Sequence, residues 1–438
     1  MSSLFVTLKI ASANLWQHGR RTLFLGGAIA AVTTLLILLG GLSAGVRDSL
    51  VTTATTLSTG HVNVGGFFKV TSGQSGAVVT GVKALRPLVA KAVPETAFMV
   101  ERGRGWAKVV SDTGSTQSGI NGVDITHEPA FKRVLSVKQG NLDGLAEPNT
   151  VMLFQSMAEK LGVGVGDAIT ISAQTTRGVA NTIDTRVVAI VKDVGLLSKW
   201  NAYVPADTLR QLYQLREDAT GAIHVHLKPE FIENSTQIAA RLRPALEAAG
   251  YRVMEPASQA FWMKFESVNR EAWTGQKLDV TTWEDELSFM IWTLSLLDGL
   301  KFVLMIILIA IVVTGIMNTM WIAIRERTRE IGTLRAIGMQ RGGILRMFIA
   351  ESLLLGLLGT AAGVLFGVAI AAGLNSAHIG VPISVQLFLM SDELRVLVLP
   401  EALVSAVVTI TGITVLAALY PAGRAARLRP VEAMSHFG

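Results

Sequence analysis

Four stretches of this chain contain no Asp, Glu, Lys or Arg: residues 22–46, 302–324, 352–391 and 402–423. A bilayer core about 30 Å thick is crossed by roughly 20 apolar residues in a helix, so each stretch can span. In the third, the first part is continuously apolar and the later part changes to a loop-like composition. Four such runs predict a polytopic membrane protein rather than a soluble domain with buried helices. The first run is much longer than the apolar region of about 7–15 residues in a secretory signal, so it predicts an uncleaved anchor.

Charge placement orders these spans. Residues 46–299, between the first and second runs, hold 25 Lys and Arg against 26 Asp and Glu. Three other pieces carry the basic excess: an N-terminal arm with Lys9, Arg20 and Arg21, a loop over 325–346 with six arginines, and a tail with Arg424, Arg427 and Arg429. Basic residues collect on the cytoplasmic side, which puts all three pieces inside and residues 47–299 outside. The excess thus reports topology, and no nucleic-acid partner is expected. No cysteine is present, so the outer domain folds without disulfides.

The predicted fold is a membrane protein with four transmembrane α-helices and a large α+β extracytoplasmic domain, in two lobes, between spans 1 and 2. Its order is an amphipathic cytoplasmic arm (1–21), span 1 (22–46), the outer domain (47–299), span 2 (302–324) and a cytoplasmic loop (325–346). Span 3 (348–373), a short outer loop (374–400), span 4 (402–423) and a cytoplasmic tail (424–438) follow. In the outer domain, 61–64 and 223–227 alternate like strands, and 82–93 repeats apolar residues at helical spacing. LGVGVGDAITIS, residues 161–172, predicts a glycine turn entering a strand paired with 182–191. A helix over 235–249 is ended by Gly250. These elements suggest a βαβ-type core from about 58–122 and 201–260, with a strand-rich insertion at 123–200. Residues 259–298 carry four tryptophans and read as a helical stalk at the outer membrane interface.

No phosphate-binding GxxxxGK[ST] loop or HExxH occurs in these residues, so ATP binding of that kind is not expected of them, and no pairing of residues argues for a catalytic centre. His224 and His226 lie two apart on a strand; a solvated strand face is the reading favoured over a metal site. No cofactor or metal is expected. Gly359, Gly363 and Gly367 recur every four residues in span 3, as Gly41 and Gly45 do at the end of span 1, and make smooth faces for helix packing. Asn318 within span 2 is expected to face protein or a cavity rather than lipid.

The loop after span 2 reads IRERTREIGTLRAIG. Its charges would cost about 2.5–3.5 kcal/mol each at the bilayer centre, so the segment leaves the membrane. As a helix it sets Ile331, Leu334 and Ile337 on one flank, with Glu326–Arg329 and Arg327–Glu330 as pairs three residues apart. Gly338 and the Gly342–Gly343 pair would then end it before span 3.

In order as well as composition, MNTMWIAIRERTREIGTLRAIGMQRGGILRMFIAESLLLGLLG resembles the FtsX-like permease signature. ALYPAGRAARLRPVEAM resembles that family's C-terminal pattern, and NLWQHGRRTLF its amphipathic entry into span 1. GHVNV and DVTTWEDEL look most like the lipoprotein-releasing LolC/LolE branch. The resemblance implies the permease of a mechanotransmission (type VII) ABC transporter in a bacterial inner membrane. It implies two separate ABC ATPase subunits, which bind the ATP, and a second permease copy or paralogue. The ATPase would dock on a coupling helix made of Arg325, Glu326, Arg327, Arg329, Glu330, Ile331, Gly332, Leu334, Arg335 and Gly338. The function implied is extraction of lipoproteins from the outer leaflet and release to a periplasmic carrier. The alternatives are tripartite efflux of a periplasmic peptide or drug, and an FtsX-like regulator of a cell-wall hydrolase.

Overall fold

The computed structural model describes residues 2–71, 74–382, 386 and 393–428. Residues 383–385 and 387–392 of the predicted 374–400 loop, and the tail beyond 428, lie outside the described residues. The chain divides into two compact units: residues 1–47, 295–380 and 393–438 form one, and residues 48–294 with 381–392 form the other.

The first unit is helical. The arm helix (Ser2–Gln17) leads directly into a 39-residue helix (Gly19–Leu57), whose apolar part is span 1. Span 2 lies in Ser288–Glu326, span 3 in Arg341–Ser376 and span 4 in Pro400–Ala426, and all four pass length and hydropathy requirements for crossing a membrane. The glycines of span 3 pack within the chain, against span 1. A Cβ on Gly359 would meet Ile29 at 2.9 Å, on Gly363 the Ala30 carbonyl at 2.6 Å, and on Gly367 Ile37 at 3.2 Å. Hydrocarbon gives lipid-facing helices no hydrophobic reason to associate, so this backbone proximity is what joins spans 1 and 3. Gly41 and Gly45, expected to pack against a helix, instead lie against Val396 and the Arg395 carbonyl in the non-helical segment before span 4. Within this chain Asn318 lies on the exposed face of span 2, beside Thr314 and Gly315.

The second unit is α+β. Its strands are β1 (Val62–Thr71), β2 (Gln74–Gly76), β3 (Val79–Thr80), β4 (Thr96–Val110), β5 (Ser115–Val123), β6 (Val137–Gly140) and β7 (Thr150–Phe154). There follow β8 (Ala168–Gln174), β9 (Ala180–Val191), β10 (Asn201–Pro205), β11 (Ala219–Thr220), β12 (Ala222–Leu227) and β13 (Gly275–Thr282). The main sheet runs β13-β1-β12-β4-β5-β10-β7-β9-β6, with β2 on β1 and β8 joining β4 to β9. The 161–172 turn is as the glycines predict, with Gly162 and Gly166 at φ 63° and 100° before β8.

Three sequence expectations change here. The lobes do not divide at residue 123: β4 pairs β12 through Thr96–Arg102 and β5 from Gly103 onward, so one strand serves both. On one side Val62, Leu85, Val225, Leu242 and Val280 share a core; on the other Val109, Ile120, Leu153, Ile171 and Leu209 do. The tryptophan-rich segment is no stalk over most of its length. Its GQKLDVTT becomes β13, paired with β1 along eight residues, and Thr282 and Asp285 then form a reciprocal capping box for the next helical turn. Buried amines hold the preceding turn in place: Lys264 gives both Asp279 oxygens 2.9 Å contacts, and Lys69 donates to the Val268 and Glu271 carbonyls. Trp283 is accordingly in the core.

The third change concerns His224 and His226, which are buried rather than solvated because β1 and β4 flank β12 on both sides. His226 stacks on Phe98 with ring centroids 4.3 Å apart and meets His61 edge-on at 5.6 Å. Burial pulls the His61 pKa down to about 4 and that of His226 to about 3, so both rings are neutral; His61 Nδ1 accepts the Leu227 amide. No group of residues suited to a metal occurs among the described residues.

Candidate functional site

The IRERTREIG segment is not one helix. Arg325 and Glu326 close the helix of span 2, Arg327 leaves helical geometry at φ −101°, and a separate nine-residue helix occupies Thr328–Ala336. Gly338 at φ +106° then turns the chain in a conformation that a side chain would strain, and the helix of span 3 starts at Arg341. Gly342 and Gly343 sit inside that helix, so Gly338, not the pair, makes the break.

The elbow is held by charge that the sequence does not advertise. Glu351, the last charge before the uncharged run of span 3, is 3% exposed and takes Arg21 at 3.1 Å and Arg327 at 3.3 Å. Arg327 also pairs Glu330 at 3.0 Å, as predicted, and its guanidinium lies 5.9 Å from the Phe348 ring. Glu326 approaches Arg21 at 3.9 Å. Arm, elbow and span 3 are thus tied through one buried carboxylate. A buried carboxylate needs such partners, because desolvation of an unpaired one is prohibitive.

Apolar residues fix the helix over this lock. Ile331 is buried with Leu15, Ile324, Ile344 and Phe348, and Gly332 beside it is buried too. Leu334 and Arg335 are half-buried. Ile337 does not share the flank: it is 80% exposed, at the outer end of the short helix. Glu330 and Arg329 lie on the accessible side. Arg424 of the tail motif stacks between Trp321 and Tyr420, 5.7 Å from each ring.

Sequence reasoning missed a second junction in the outer unit. The last carbonyls of the 39-residue helix, Thr56 and Leu57, accept from Arg102, and Leu57 also accepts from the Tyr203 hydroxyl at 3.2 Å. A cation at a helix C-terminus satisfies its orphan carbonyls and opposes its dipole. Arg102 is itself paired with buried Glu128. Burial pushes the Tyr203 pKa up to about 12.

Two family models cover the chain. Residues 23–245 match the MacB-like periplasmic core domain, and residues 302–430 match the FtsX-like permease C-terminal domain. Four apolar helices and an α+β periplasmic domain after the first define an inner-membrane permease of the ABC transporter class. The chain belongs to the FtsX-like permease family with a MacB-type periplasmic core. The macrolide export ATP-binding/permease protein MacB of Agrobacterium fabrum is 24% identical across 98% of this chain, which spans 60% of that relative's length. The protein of that name from Nitrobacter winogradskyi is 39% identical over 28% of this chain and 17% of its own length. The periplasmic region of MacB from Actinobacillus actinomycetemcomitans superposes at TM-score 0.29 with 14% identity, covering 54% of this chain and 97% of that one.

Proposed function

We propose that this chain is the membrane subunit of a mechanotransmission ABC transporter, working as a pair of permeases over two ATPase subunits. The observation that carries this reading is the elbow. A short helix with an exposed apolar tip, Ile337, and accessible Glu330 is pinned by Ile331 and the Arg21–Glu351–Arg327 lock to the bundle. A passive loop needs no such anchorage. An element built to pass a push from an ATPase to the spans does. The exposed face of span 2, with Thr314 and Asn318, fits a second permease copy, since polar groups in hydrocarbon favour protein neighbours.

The motifs that suggested lipoprotein release have structural employment. HVNV opens β1, and DVTTWED is β13 with its capping box, so they carry no information on cargo. The names of the curated relatives favour efflux of a periplasmic amphiphile such as a macrolide, and we adopt that reading over delivery of lipoproteins to a carrier. In either case, removing apolar groups from a bilayer costs about 0.8 kcal/mol per CH₂, which gives ATP a task.

The test uses the chain in lipid nanodiscs with its ATPase. Ile337→Asp places a charge where nothing packs, so folding survives; ATPase capture and stimulation should fall at least five-fold. Unchanged capture and stimulation would remove the elbow from the mechanism.

A further inference from the structure

The outer unit contains a cavity of about 790 Å³, within the roughly 300–1,000 Å³ usual for small-molecule sites. Its construction is legible in ERGRGW at the centre of β4. Alternation along a strand sends Arg102, Arg104 and Trp106 to one face and Gly103 and Gly105 to the other. The glycines let the helix Ala206–Tyr213 press close, for a Cβ on Gly103 would meet Leu209 at 2.6 Å and one on Gly105 would collide with the Tyr213 hydroxyl. The opposite face, freed of that helix, lines the cavity with two arginines and a tryptophan.

The inner end of the cavity is polar and incomplete. Arg102, Arg104 and His224 are each at least nine-tenths buried and line it, as does Ser58. Arg102 Nε, Arg104 Nε and His224 Nε2 are buried without a hydrogen-bond partner among the described residues, whereas Ser58 Oγ lies by the Tyr203 hydroxyl. Native structures leave few such atoms, and three belong to residues that line this one cavity. Two are guanidinium N–H groups, which can only donate, so the missing partner is an acceptor. Arg104 meets Glu286 at 3.6 Å and lies over the Phe261 ring at 3.7 Å, which fixes its position without satisfying Nε. Charge agrees: the ionisable lining is Arg102, Arg104, Lys160 and Lys199 against Glu286, with His224 kept neutral by burial. The mouth is aromatic, with Trp106, Trp200 and Trp262 each between 41% and 49% exposed.

We infer that this cavity binds one amphiphile, its anionic, acceptor-rich head on Arg102, Arg104, His224 and Ser58 and its apolar body among the tryptophans. The site goes beyond the transport reading and asks nothing of an ATPase. Binding is therefore measured without ATP or partner, and its failure leaves the elbow experiment untouched.

The probe is a diazirine-bearing decanoate, photolysed with the full chain in nanodiscs below its micellar concentration, with adducts mapped by mass spectrometry. The alcohol and the quaternary ammonium of equal length are the controls, and labelling of the spans reports partition into lipid. Peptides containing residues 196–201 and 261–263 should take the carboxylate probe at least five-fold more than either control. Lys199→Glu and Trp200→Ala, both exposed positions, should cut that labelling at least five-fold while leaving the spans' labelling and the melting temperature unchanged. Arg104→Gln should do the same if it folds. Competition by lysophosphatidic acid would identify a membrane lipid as the ligand class; competition by anilinonaphthalene sulfonate alone would identify a compact aromatic anion. Equal labelling by all three head groups, or no effect of Lys199→Glu and Trp200→Ala, overturns the site.

Discussion

Glu351→Gln removes the charge at the centre of the elbow while keeping its shape. Loss of one partner from a buried ion pair costs about 3–5 kcal/mol, because the remaining charge stays desolvated. Here the loss is moderated. Arg327, with a side chain only 6% exposed, keeps Glu330 at 3.0 Å, whereas Arg21, 19% exposed, keeps only Glu326 at 3.9 Å. The expected destabilisation is about 3 kcal/mol, the lower end of that range. Titration of the chain with sodium dodecyl sulfate in mixed micelles would measure it. The cycle Glu351→Gln, Arg327→Gln and both together should show a coupling of at least about 1 kcal/mol, since residues in one network do not add. ATPase stimulation should fall with it, because the elbow would no longer be tied to span 3. Single losses below about 0.5 kcal/mol that simply add would mean the carboxylate is hydrated and the lock has no mechanical role.

Three further outcomes are expected. Burial depresses the pKa of His61 to about 4 and of His226 to about 3 from an ordinary 6.5, so an unfolded chain binds protons that the fold excludes. Stability of the periplasmic domain is therefore full above pH 6.5 and declines as pH falls toward 4, by roughly 2 kcal/mol per histidine at pH 5; His226→Phe should flatten the slope, and a melting temperature constant from pH 7 to 5 would contradict this. Gly363→Val should destabilise the bundle by about 2 kcal/mol or more through overpacking, while Gly373→Val, with open space around it, should not; equal effects in the same micelle titration would refute the packing of spans 1 and 3. Single cysteines at Arg177 and Gln139 should react with an impermeant maleimide outside intact spheroplasts and one at Gln340 should not, and the reverse pattern would invert the topology.

Spans, topology and family were readable because each is local: uncharged runs, arginine-rich connections and a contiguous motif. The elbow was readable only in part. Its charges suggested one helix, but Arg327 ends the first because its side chain turns inward to a carboxylate in another span. Arg21 and Glu351 are 330 residues apart, and each alone resembles an ordinary end-of-span charge. A lone acid at the threshold of a 40-residue uncharged run was the available signal, because such a group requires a partner. The tryptophans of 259–298 misled for the opposite reason: amphipathic rings suit a membrane interface and a domain core equally, and the alternation in KLDVTT was the better guide. RGRGW was likewise a period-two pattern whose meaning depends on which helix lies across the glycines.

Because β4 is a single strand of 15 residues serving both halves of the periplasmic sheet, the two lobes have no flexible linker about which to bend there. Pivoting one against the other would break ladder hydrogen bonds at Arg102 and Gly103, where β12 hands over to β5. The domain is thus a splinted lever, able to relay a displacement without absorbing it. A crosslink between the two lobes is therefore expected to leave the fold of the domain unchanged.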